Sequence, residues 1–223
     1  PATVSILTRN SATTLPAALA SVVDFAEVLV VDGGSQDETL SIARRFGARI
    51  IEQDTSFKDA YGRLIDFAGE RNEALAAATY PWHVYLDSDE YMRPALVAEI
   101  QDIVTRNAVG VYWTPRRYVW QGKEIICSMS YPNRQTRVFH RDATAGFRKQ
   151  IHERLVLRPN TTLSTLSHSI LVPVKHDIQT LRRKSSRYIS LELSRQAPVT
   201  MMKVIRFFIN AARVSLRYGY KFI

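Results

Sequence analysis

The amino-acid sequence predicts an α/β protein with a mostly parallel sheet flanked by helices. Within the first 110 residues, apolar strand-like runs alternate with helix-like segments, and this alternation is typical of parallel strands joined by crossover helices. Hydrophobic residues make up 46% of the 223-residue chain and charged residues 23%, which excludes a disordered protein and allows one substantial domain. A region of mixed strands and a C-terminal helical appendage are expected to follow.

Four strands and four helices are expected in order along this first part of the chain. The strands are predicted at residues 3–7, 27–32 and 49–52, and from residue 82 onward. The helices are predicted from Pro16 to about Phe25, from Ser35 to Gly47, from Glu70 to Thr79 and from Pro94 to about Asn107. Ser35 and Glu38 have the spacing of a capping box, which places the start of the second helix. Residues 53–66 are charged and irregular, and we expect a mobile loop there.

After Gly110 the pattern changes to short strands in which aromatic residues and arginines interleave. These strands are predicted at residues 111–113, 118–120, 124–126 and 136–139. Short strands at this spacing favour antiparallel pairing, so this region is expected to differ from the parallel sheet before it.

The net charge of the chain, +9, is concentrated at its C-terminus. Ten basic residues and one acid, Glu192, lie beyond residue 180. Five polar residues there recur every three or four positions and form one stripe on a helix: Lys203, Arg206, Asn210, Arg213 and Arg217. Residues 181–223 are therefore predicted to form a basic amphipathic helical segment that is too charged to span a membrane and is suited to an anionic membrane surface. A terminal helix packed on its own domain is the alternative, and no nucleic-acid-binding motif is present.

Three carboxylates, Asp87, Asp89 and Glu90, follow the apolar run that begins at Trp82. In an open α/β sheet, the carboxyl end of a strand faces the crevice where ligands bind. Two aspartates one residue apart suit a divalent cation, Mn²⁺ or Mg²⁺, that takes its other oxygens from a diphosphate. A polar loop after a buried strand is the alternative, and it is the usual meaning of an isolated Asp-x-Asp.

Two further patterns indicate a phosphate-bearing or nucleotide ligand. Asp32 and Gly34 lie in a glycine-containing turn between a strand and a helix, where an aspartate can accept hydrogen bonds from a base or ribose; a tight turn with a helix cap is the alternative. Arg71 could bind a diphosphate in a bidentate manner, or it could be an exposed arginine paired with Glu70 or Glu73. Neither the G-x-G-x-x-G nor the P-loop motif is present.

Taken together, these motifs resemble the inverting family-two glycosyltransferases of GT-A fold. The resemblance rests on Asp32-Gly33-Gly34-Ser35-x-Asp37-x-Thr39, Arg71-Asn72-x-Ala74-Leu75 and Trp82-x-x-x-Leu86-Asp87-x-Asp89-Glu90. Within that family, Arg137-Val138-Phe139 and His152-Glu153 are most similar to the lipopolysaccharide-core β-1,4-glucosyltransferase-like group. The resemblance covers about residues 3–158, and residues 57–67 depart from the pattern. Family members usually extend further, so we expect this chain to be part of a longer protein.

The resemblance implies a Rossmann-like GT-A catalytic domain over residues 1–180, with a nucleotide-sugar half at 1–110 and an acceptor half at 111–180. The implied reaction is inverting transfer from a nucleotide sugar, expected to be a UDP-hexose, to a hydroxyl of a glycan or glycolipid in cell-envelope polysaccharide synthesis. The donor would be bound by Thr8, Arg9, Asp32, Gly34, Arg71, Asp87 and Arg137. The divalent metal, Mn²⁺ or Mg²⁺, would be bound by Asp89 and His152.

An inverting transferase also needs a carboxylate that accepts the proton of the attacking hydroxyl. Glu153 is the first choice for this base, and Glu90 or Glu124 is the second. Taken alone, His152-Glu153 is a weak signal that a partly buried strand with an Arg–Glu pair would also explain. The single cysteine, Cys127, fits a reducing compartment, so we expect a cytoplasmic protein, peripheral on the inner face of the plasma membrane.

Two other classes of protein remain as alternatives at this point. A sugar nucleotidyltransferase has a similar fold type and metal use, but it needs a glycine-rich loop after the first strand. The corresponding residues, Thr8-Arg9-Asn10-Ser11, contain no glycine. A non-catalytic membrane-associated module would explain the basic segment and leave the three clustered carboxylates unexplained.

Overall fold

The structure, a computed structural model, describes residues 1–125 and 133–174. The strands are β1 Ala2–Thr8, β2 Glu27–Asp32, β3 Arg49–Glu52, β4 Trp82–Asp87, β5 Tyr91–Met92, β6 Val111–Trp120, β7 Lys123–Ile125, β8 Asn133–His140, β9 Thr144–Arg148, β10 Arg154–Leu157, β11 Leu163–Thr165 and β12 Ile170–Pro173. The helices are α1 Leu15–Ala20, α2 Thr39–Arg45, α3 Phe67–Ala77 and α4 Pro94–Thr105, with 3₁₀ turns at Thr55–Phe57 and Arg141–Ala143.

The main sheet changes from parallel to antiparallel at β4. Its strand order is β3-β2-β1-β4-β8-β6-β12-β5, and β3, β2, β1 and β4 are mutually parallel. Strand β8 pairs antiparallel with both β4 and β6, whereas β9 and β10 form a separate two-stranded sheet. The predicted α/β class, with a mostly parallel first part and a mixed second part, is therefore confirmed over the described residues.

Helices cover both faces of the parallel strands, as the alternating pattern predicts. On one face, Val4 and Ile6 of β1 share a core with Leu19 of α1 and Ile100 of α4. On the other face, Ala74 of α3 packs with residues of β2, namely Leu29 and Val31. Side chains of a strand alternate between its two faces. Strand β2 therefore contributes to both cores, with Val30 in the first and its neighbours Leu29 and Val31 in the second.

Two predicted helix starts and one predicted helix end are wrong. Helix α2 begins at Thr39 instead of Ser35, because the Ser35 hydroxyl donates to Asp32 at 2.5 Å and caps nothing. Helix α3 begins at Phe67 instead of Glu70, since the Asp66 carboxylate accepts from the Gly69 amide at 2.9 Å and caps the helix earlier. Helix α1 ends at Ala20 instead of Phe25, and turns follow it.

The irregular segment predicted at residues 53–66 contacts the rest of the fold at two points and is also hydrogen-bonded within itself. The Phe57 ring lies directly against Gly69 of α3, so that a Cβ at Gly69 would be 2.5 Å from the ring. The Phe57 carbonyl accepts from the amides of Ile65 and Asp66. Farther along, the Gly62 carbonyl accepts a hydrogen bond from the Arg9 side chain. The segment is therefore fixed between α3 and the loop after β1.

The predicted basic helical segment at residues 181–223 and the last residue of the strand predicted at 124–126 lie outside the described residues. Across residues 1–125 and 133–174, no helix is long and apolar enough to cross a membrane.

Candidate active site

Three strand ends bring the first group of predicted site residues to one edge of the sheet. Thr8, Asp32 and Asp87 are the last residues of β1, β2 and β4. Thr8 lies beside Asp32 in the register of β1 and β2, and Leu7 lies beside Asp87 in that of β1 and β4. The carboxyl ends of parallel strands are where α/β sheets bind ligands, so the candidate site lies at this edge.

The Asp32 carboxylate binds its own turn. Its Oδ2 accepts from the amides of Gly34 at 2.9 Å and Ser35 at 2.8 Å, and its Oδ1 accepts from the Ser35 hydroxyl. Gly34 has a φ of +85°, and nothing lies within 4 Å of the position of a Cβ there. The backbone conformation thus favours glycine at position 34. The space beside Gly34 contains no other described residue, so a ligand could approach the backbone there. Contact of Asp32 and Gly34 with a nucleotide stays a prediction.

The loop after β1 is joined to the loops that follow β2 and β4. The Asn10 amide donates to the Ser35 hydroxyl at 2.9 Å, and the Ser11 amide donates to the Thr39 hydroxyl at 2.7 Å. The hydroxyls of Ser11 and Ser88 are 3.0 Å apart and hydrogen-bonded. These bonds join the three loops into one wall, with Ser88 between the two aspartates of the Asp-x-Asp motif.

Thr8 and Arg9, which the family resemblance places in the donor pocket, have different surroundings. Thr8 is buried, and its carbonyl accepts from the Gly33 amide at 2.8 Å. Arg9 is exposed and lies over Gly33, where a Cβ would be 3.0 Å from the Arg9 Cβ. Arg9 therefore connects the wall to the segment at residues 53–66, and only its side chain is placed to meet a ligand from solvent.

Asp87 is held between two buried arginines that lie against one aromatic ring. Arg71 of α3 donates to its Oδ1 at 2.9 Å, and Arg137 of β8 donates to its Oδ2 at 2.8 Å. The guanidinium carbons of these arginines are 4.0 and 4.3 Å from the centroid of the Tyr85 ring, a cation–π arrangement that fixes both groups. Burial alone would raise the pKa of Asp87, but Arg137 and Arg71 outweigh it and hold that pKa well below its usual range.

Behind Asp87, Glu90 and Arg116 complete the network. The Oε1 of Glu90 accepts from Arg137 at 3.1 Å and from Nε of Arg116 at 2.8 Å, and its Oε2 accepts from the Asp87 amide at 3.2 Å. The side chain of Glu90 is fully buried, so it cannot reach an acceptor hydroxyl and is a poor candidate for the base. Glu124, the other second choice, is ion-paired with Arg93 at 2.6 Å and Arg117 at 2.7 Å.

Arg116 and the contribution of Tyr85 were not predicted from the sequence. The available signal was two adjacent arginines, Arg116 and Arg117, inside a run of strand character. Buried arginines require carboxylate partners. The acids clustered after β4 had no partner assigned from the sequence, so they were the candidates for this pairing. The pairing joins residues 26 positions apart, which spacing alone does not reveal.

Arg71 links Asp87 to Glu153, the residue proposed as the base. Its Nε donates to Oε1 of Glu153 at 2.7 Å, while its Nη2 binds Asp87. Arg71 is neither exposed nor paired with Glu70 or Glu73, and its predicted contact with a diphosphate stays a prediction. The next residue, Asn72, fixes β9 by accepting from the Phe147 amide at 2.7 Å and donating to its carbonyl at 3.1 Å.

The two residues predicted to bind a metal are both exposed. The Asp89 carboxylate makes no hydrogen bond or ion pair with the described residues and is free to meet a ligand. His152 has a backbone φ of +54°. Among residues 1–125 and 133–174, no group of three or more His, Cys, Asp or Glu side chains is close enough to hold a metal ion. A cation bound here would need oxygens from a ligand as well as from Asp89.

A cleft of about 560 Å³ opens on the side of Asp87 where Glu153 lies. Tyr85, Trp113, Glu153 and His152 contribute to its walls. The arrangement thus has a carboxylate held rigidly by arginines at the strand ends, a free carboxylate two residues later, and a third carboxylate in an adjoining cleft.

Residues 3–184 match the family model for glycosyl transferase family 2. The chain belongs to this family. Its fold agrees: the chain resembles S. aureus TarS, residues 1–349, solved in complex with UDP-GlcNAc, with a TM-score of 0.57 and 17% sequence identity over 98% of this chain and 73% of that one.

Two curated relatives match part of the chain. A TPR repeat-containing protein of Synechococcus elongatus is 41% identical over 86 residues, which are 38% of this chain and 19% of that protein. An uncharacterized glycosyltransferase of Mycobacterium tuberculosis is 32% identical over 121 residues, which are 50% of this chain and 51% of the relative. The chain thus spans about half or less of the length of these curated relatives.

Proposed function

We propose that this family 2 chain transfers a hexose from a UDP-hexose to a hydroxyl of a glycan or glycolipid acceptor, with inversion at the anomeric carbon. The observation that carries the proposal is the position of Asp87 and Asp89. They lie at the meeting point of three strand ends, next to the cleft that contains Glu153. The proposed setting is cell-envelope polysaccharide synthesis, as in the lipopolysaccharide-core group that the sequence resembles.

The donor is assigned to the wall formed by the loops after β1, β2 and β4. We assign the base to the loops of Thr8, Arg9, Asp32 and Gly34. The ribose is assigned to Asp87, and a divalent metal on the diphosphate is assigned to Asp89. Arg71 and Arg137 act on the donor through Asp87, which they hold in one orientation. Since TarS shares the fold and was solved with UDP-GlcNAc, this sugar nucleotide is the first donor to test beside UDP-glucose.

A divalent metal fits this site when the donor supplies the remaining ligands. Asp89 offers an exposed carboxylate without a protein partner among the described residues, and Mn²⁺ or Mg²⁺ bound by few carboxylates completes its coordination with phosphate oxygens and water. When bound, the cation would neutralise charge on the leaving diphosphate. His152 is a second candidate ligand on the cleft side.

Glu153 is proposed to accept the proton of the attacking hydroxyl. Its Oε1 is held by Arg71, and its Oε2 makes no hydrogen bond within residues 1–125 and 133–174. The bond from Arg71 therefore fixes the orientation of the carboxylate, and Oε2 is the oxygen left to accept a proton. Because Arg71 also binds Asp87, the base and the donor-side carboxylate are held at a fixed spacing across the point where the acceptor hydroxyl meets the sugar.

The test is hydrolysis of UDP-glucose and UDP-GlcNAc without acceptor, with and without Mn²⁺. A transferase releases UDP in a metal-dependent manner, because water replaces the acceptor slowly. A sugar nucleotidyltransferase would instead form a UDP-sugar from UTP and a sugar phosphate, and a non-catalytic module would do neither. Absence of UDP release and of UDP binding would refute the proposal.

Asp89→Asn is the matched variant for the metal assignment. We expect it to abolish Mn²⁺-dependent UDP binding without changing the melting temperature, because the side chain is exposed and holds no described residue. Asp102→Asn, at another exposed aspartate on α4, serves as the control. If Asp89→Asn binds UDP with the parent's affinity and the parent's response to Mn²⁺, Asp89 is not a metal ligand.

We also propose that the protein is cytoplasmic and lies on the inner face of the plasma membrane through residues 181–223. The support is the sequence alone, since this segment carries the whole net positive charge and basic residues bind anionic lipid surfaces.

A further inference from the structure

Two arginines in the cleft beside Glu153 have no acidic partner among the residues that the structure describes. Arg134 of β8 and Arg154 of β10 are exposed, and both line the cleft. Neither side chain makes an ion pair or hydrogen bond with the described residues. Arg116 and Arg137, on neighbouring positions of the same sheet, are by contrast paired with carboxylates. Unpaired arginines in a concave site form a binding site for an anion.

The charge balance of the cleft supports an anionic occupant. Glu153 is the one acid among its described lining residues, and its charge is matched by the ion pair with Arg71 at 2.7 Å. Arg134 and Arg154 therefore leave about two positive charges unbalanced. A phosphate group carries between one and two negative charges and accepts the paired hydrogen bonds that guanidinium groups donate.

The same cleft has an apolar wall. Trp113, Leu155, Leu157 and Leu163 line it, and Leu157 and Leu163 are 36% and 43% exposed. Burying exposed leucine surface is favourable at roughly 25 cal/mol per Å². An occupant with an apolar portion beside its anionic group would therefore gain from both features.

We propose that the acceptor carries a phosphate group beside an apolar portion, and that Arg134 and Arg154 bind this phosphate. The inference rests on the proposed transferase function, because Glu153 in the same cleft is the assigned base. It goes further by naming the chemical class of the acceptor and two residues that select it. An acceptor bound by its phosphate would present a nearby hydroxyl to the free Oε2 of Glu153.

The experiment compares two probes that differ in charge. Octyl phosphate and octyl glucoside, both below the concentration at which they form micelles, are titrated into the full chain by calorimetry with the donor site saturated by UDP and Mn²⁺. The variants are Arg134→Gln, Arg154→Gln and the double variant. Arg45→Gln, at an exposed arginine of α2, is the matched control.

We expect the parent to prefer octyl phosphate and the double variant to lose at least about tenfold in affinity for it, since both charged hydrogen-bond donors are removed. Octyl glucoside binding should be the same in all variants, and Arg45→Gln should match the parent. The proposal fails if the double variant binds octyl phosphate within about twofold of the parent, a loss too small for a charged contact, or if the parent does not prefer the phosphate.

Acceptor-free release of UDP, measured on the same preparations, separates this inference from the proposed function. Normal release in the double variant, with weakened octyl phosphate binding, supports both. Loss of release in the parent, with arginine-dependent octyl phosphate binding intact, refutes the transferase function and retains the phosphate site.

Discussion

At the scale of single residues, Arg71 is the side chain on which the site depends most. Arg71 is only 5% exposed. Its guanidinium group donates hydrogen bonds to both Asp87 and Glu153. The carboxylates outweigh the effect of burial and raise the pKa of Arg71 further. Arg71 therefore fixes the position of both carboxylates, one at the strand ends and the other in the cleft.

Glu153→Gln is expected to lower the rate of transfer by about 10²–10⁴-fold, the usual contribution of a general base. The amide oxygen of glutamine can still accept from Arg71, so the affinity for UDP should change little. Single-turnover transfer and UDP titration measure the two effects. Glu124→Gln, which removes another ion-paired carboxylate, is the control and should transfer at the parent's rate.

Two outcomes would contradict this assignment in different ways. Near-parental transfer by Glu153→Gln would remove Glu153 from the mechanism. Loss of UDP binding would instead place His152 and Glu153 in the metal or diphosphate site.

At the scale of elements, the packing of the 3₁₀ turn at Thr55–Phe57 on α3 determines how the segment at residues 53–66 is held. Gly69 allows this packing because the Phe57 ring occupies the space of a side chain there, with three ring atoms between 2.5 and 2.8 Å from the position of a Cβ. The whole ring must move if a Cβ is added. The same segment contacts Arg9 through Gly62, so its displacement also affects the wall formed by the loops after β1, β2 and β4.

Gly69→Ala should therefore destabilise the parent by about 1–3 kcal/mol, as overpacking does. In a Phe57→Ala background the clash is absent, and the same substitution should stabilise the helix by about 0.5–1 kcal/mol. Urea unfolding of the four proteins measures this reversal of sign. Equal effects of Gly69→Ala in both backgrounds would show that the ring does not fill this space.

The sequence predicts elements well where local patterns decide and less well where side chains from distant segments compete. The bounds of β2 and β3 are predicted exactly, because their apolar residues are contiguous. The start of α2 is wrong, because the Ser35 hydroxyl bonds with Asp32 and Asn10 instead of capping a helix. Likewise, the ends of β1, β2 and β4 predict where the candidate site lies. The pairing of Arg137 and Arg116 with Glu90 could not be predicted, because it depends on β8 lying next to β4 and on β6 lying next to β8 in the sheet.

At the scale of the whole molecule, a buried carboxyl makes stability depend on pH. Glu70 on α3 is 1% exposed, and neither of its oxygens has a hydrogen-bond partner among the described residues. Burial raises its pKa from 4.5 to about 7, with Lys58 opposing and Asp54 and Glu73 adding to the rise. The folded protein therefore keeps this proton to higher pH than the unfolded chain does.

The free energy of unfolding should consequently fall as pH rises from about 4.5 to 7. Above that range, Glu70 should cause no further change with pH. Glu70→Gln removes the penalty, so the variant should exceed the parent at about pH 8 by up to roughly 3 kcal/mol, and by much less at about pH 5. Urea unfolding at the two pH values checks this. Glu73→Gln, at an exposed site of the same helix, should show no such difference, and a pH-independent effect of Glu70→Gln would contradict the assignment.

The basic segment gives a second prediction at this scale. The full chain should sediment with vesicles that contain phosphatidylglycerol and not with neutral phosphatidylcholine vesicles, since each basic residue near an anionic surface contributes about 1 kcal/mol. Replacing Lys203, Arg206, Arg213 and Arg217 by glutamine should abolish this binding, and added salt should weaken it in the parent. Salt-insensitive binding that is equal in both proteins would favour a terminal helix packed on its own domain.

The two ion pairs of Asp87 also limit which halves of related enzymes can be joined in a hybrid protein. One of its arginines comes from α3, in the first 110 residues, and the other comes from β8, in the part that follows. A hybrid gene that joined this chain's first half to the second half of a different transferase would leave Asp87 with a single arginine unless the incoming strand brought its own at the position of Arg137. Under the proposed function, acceptor specificity should therefore be easier to change by exchanging residues of the cleft wall than by exchanging the half that carries it.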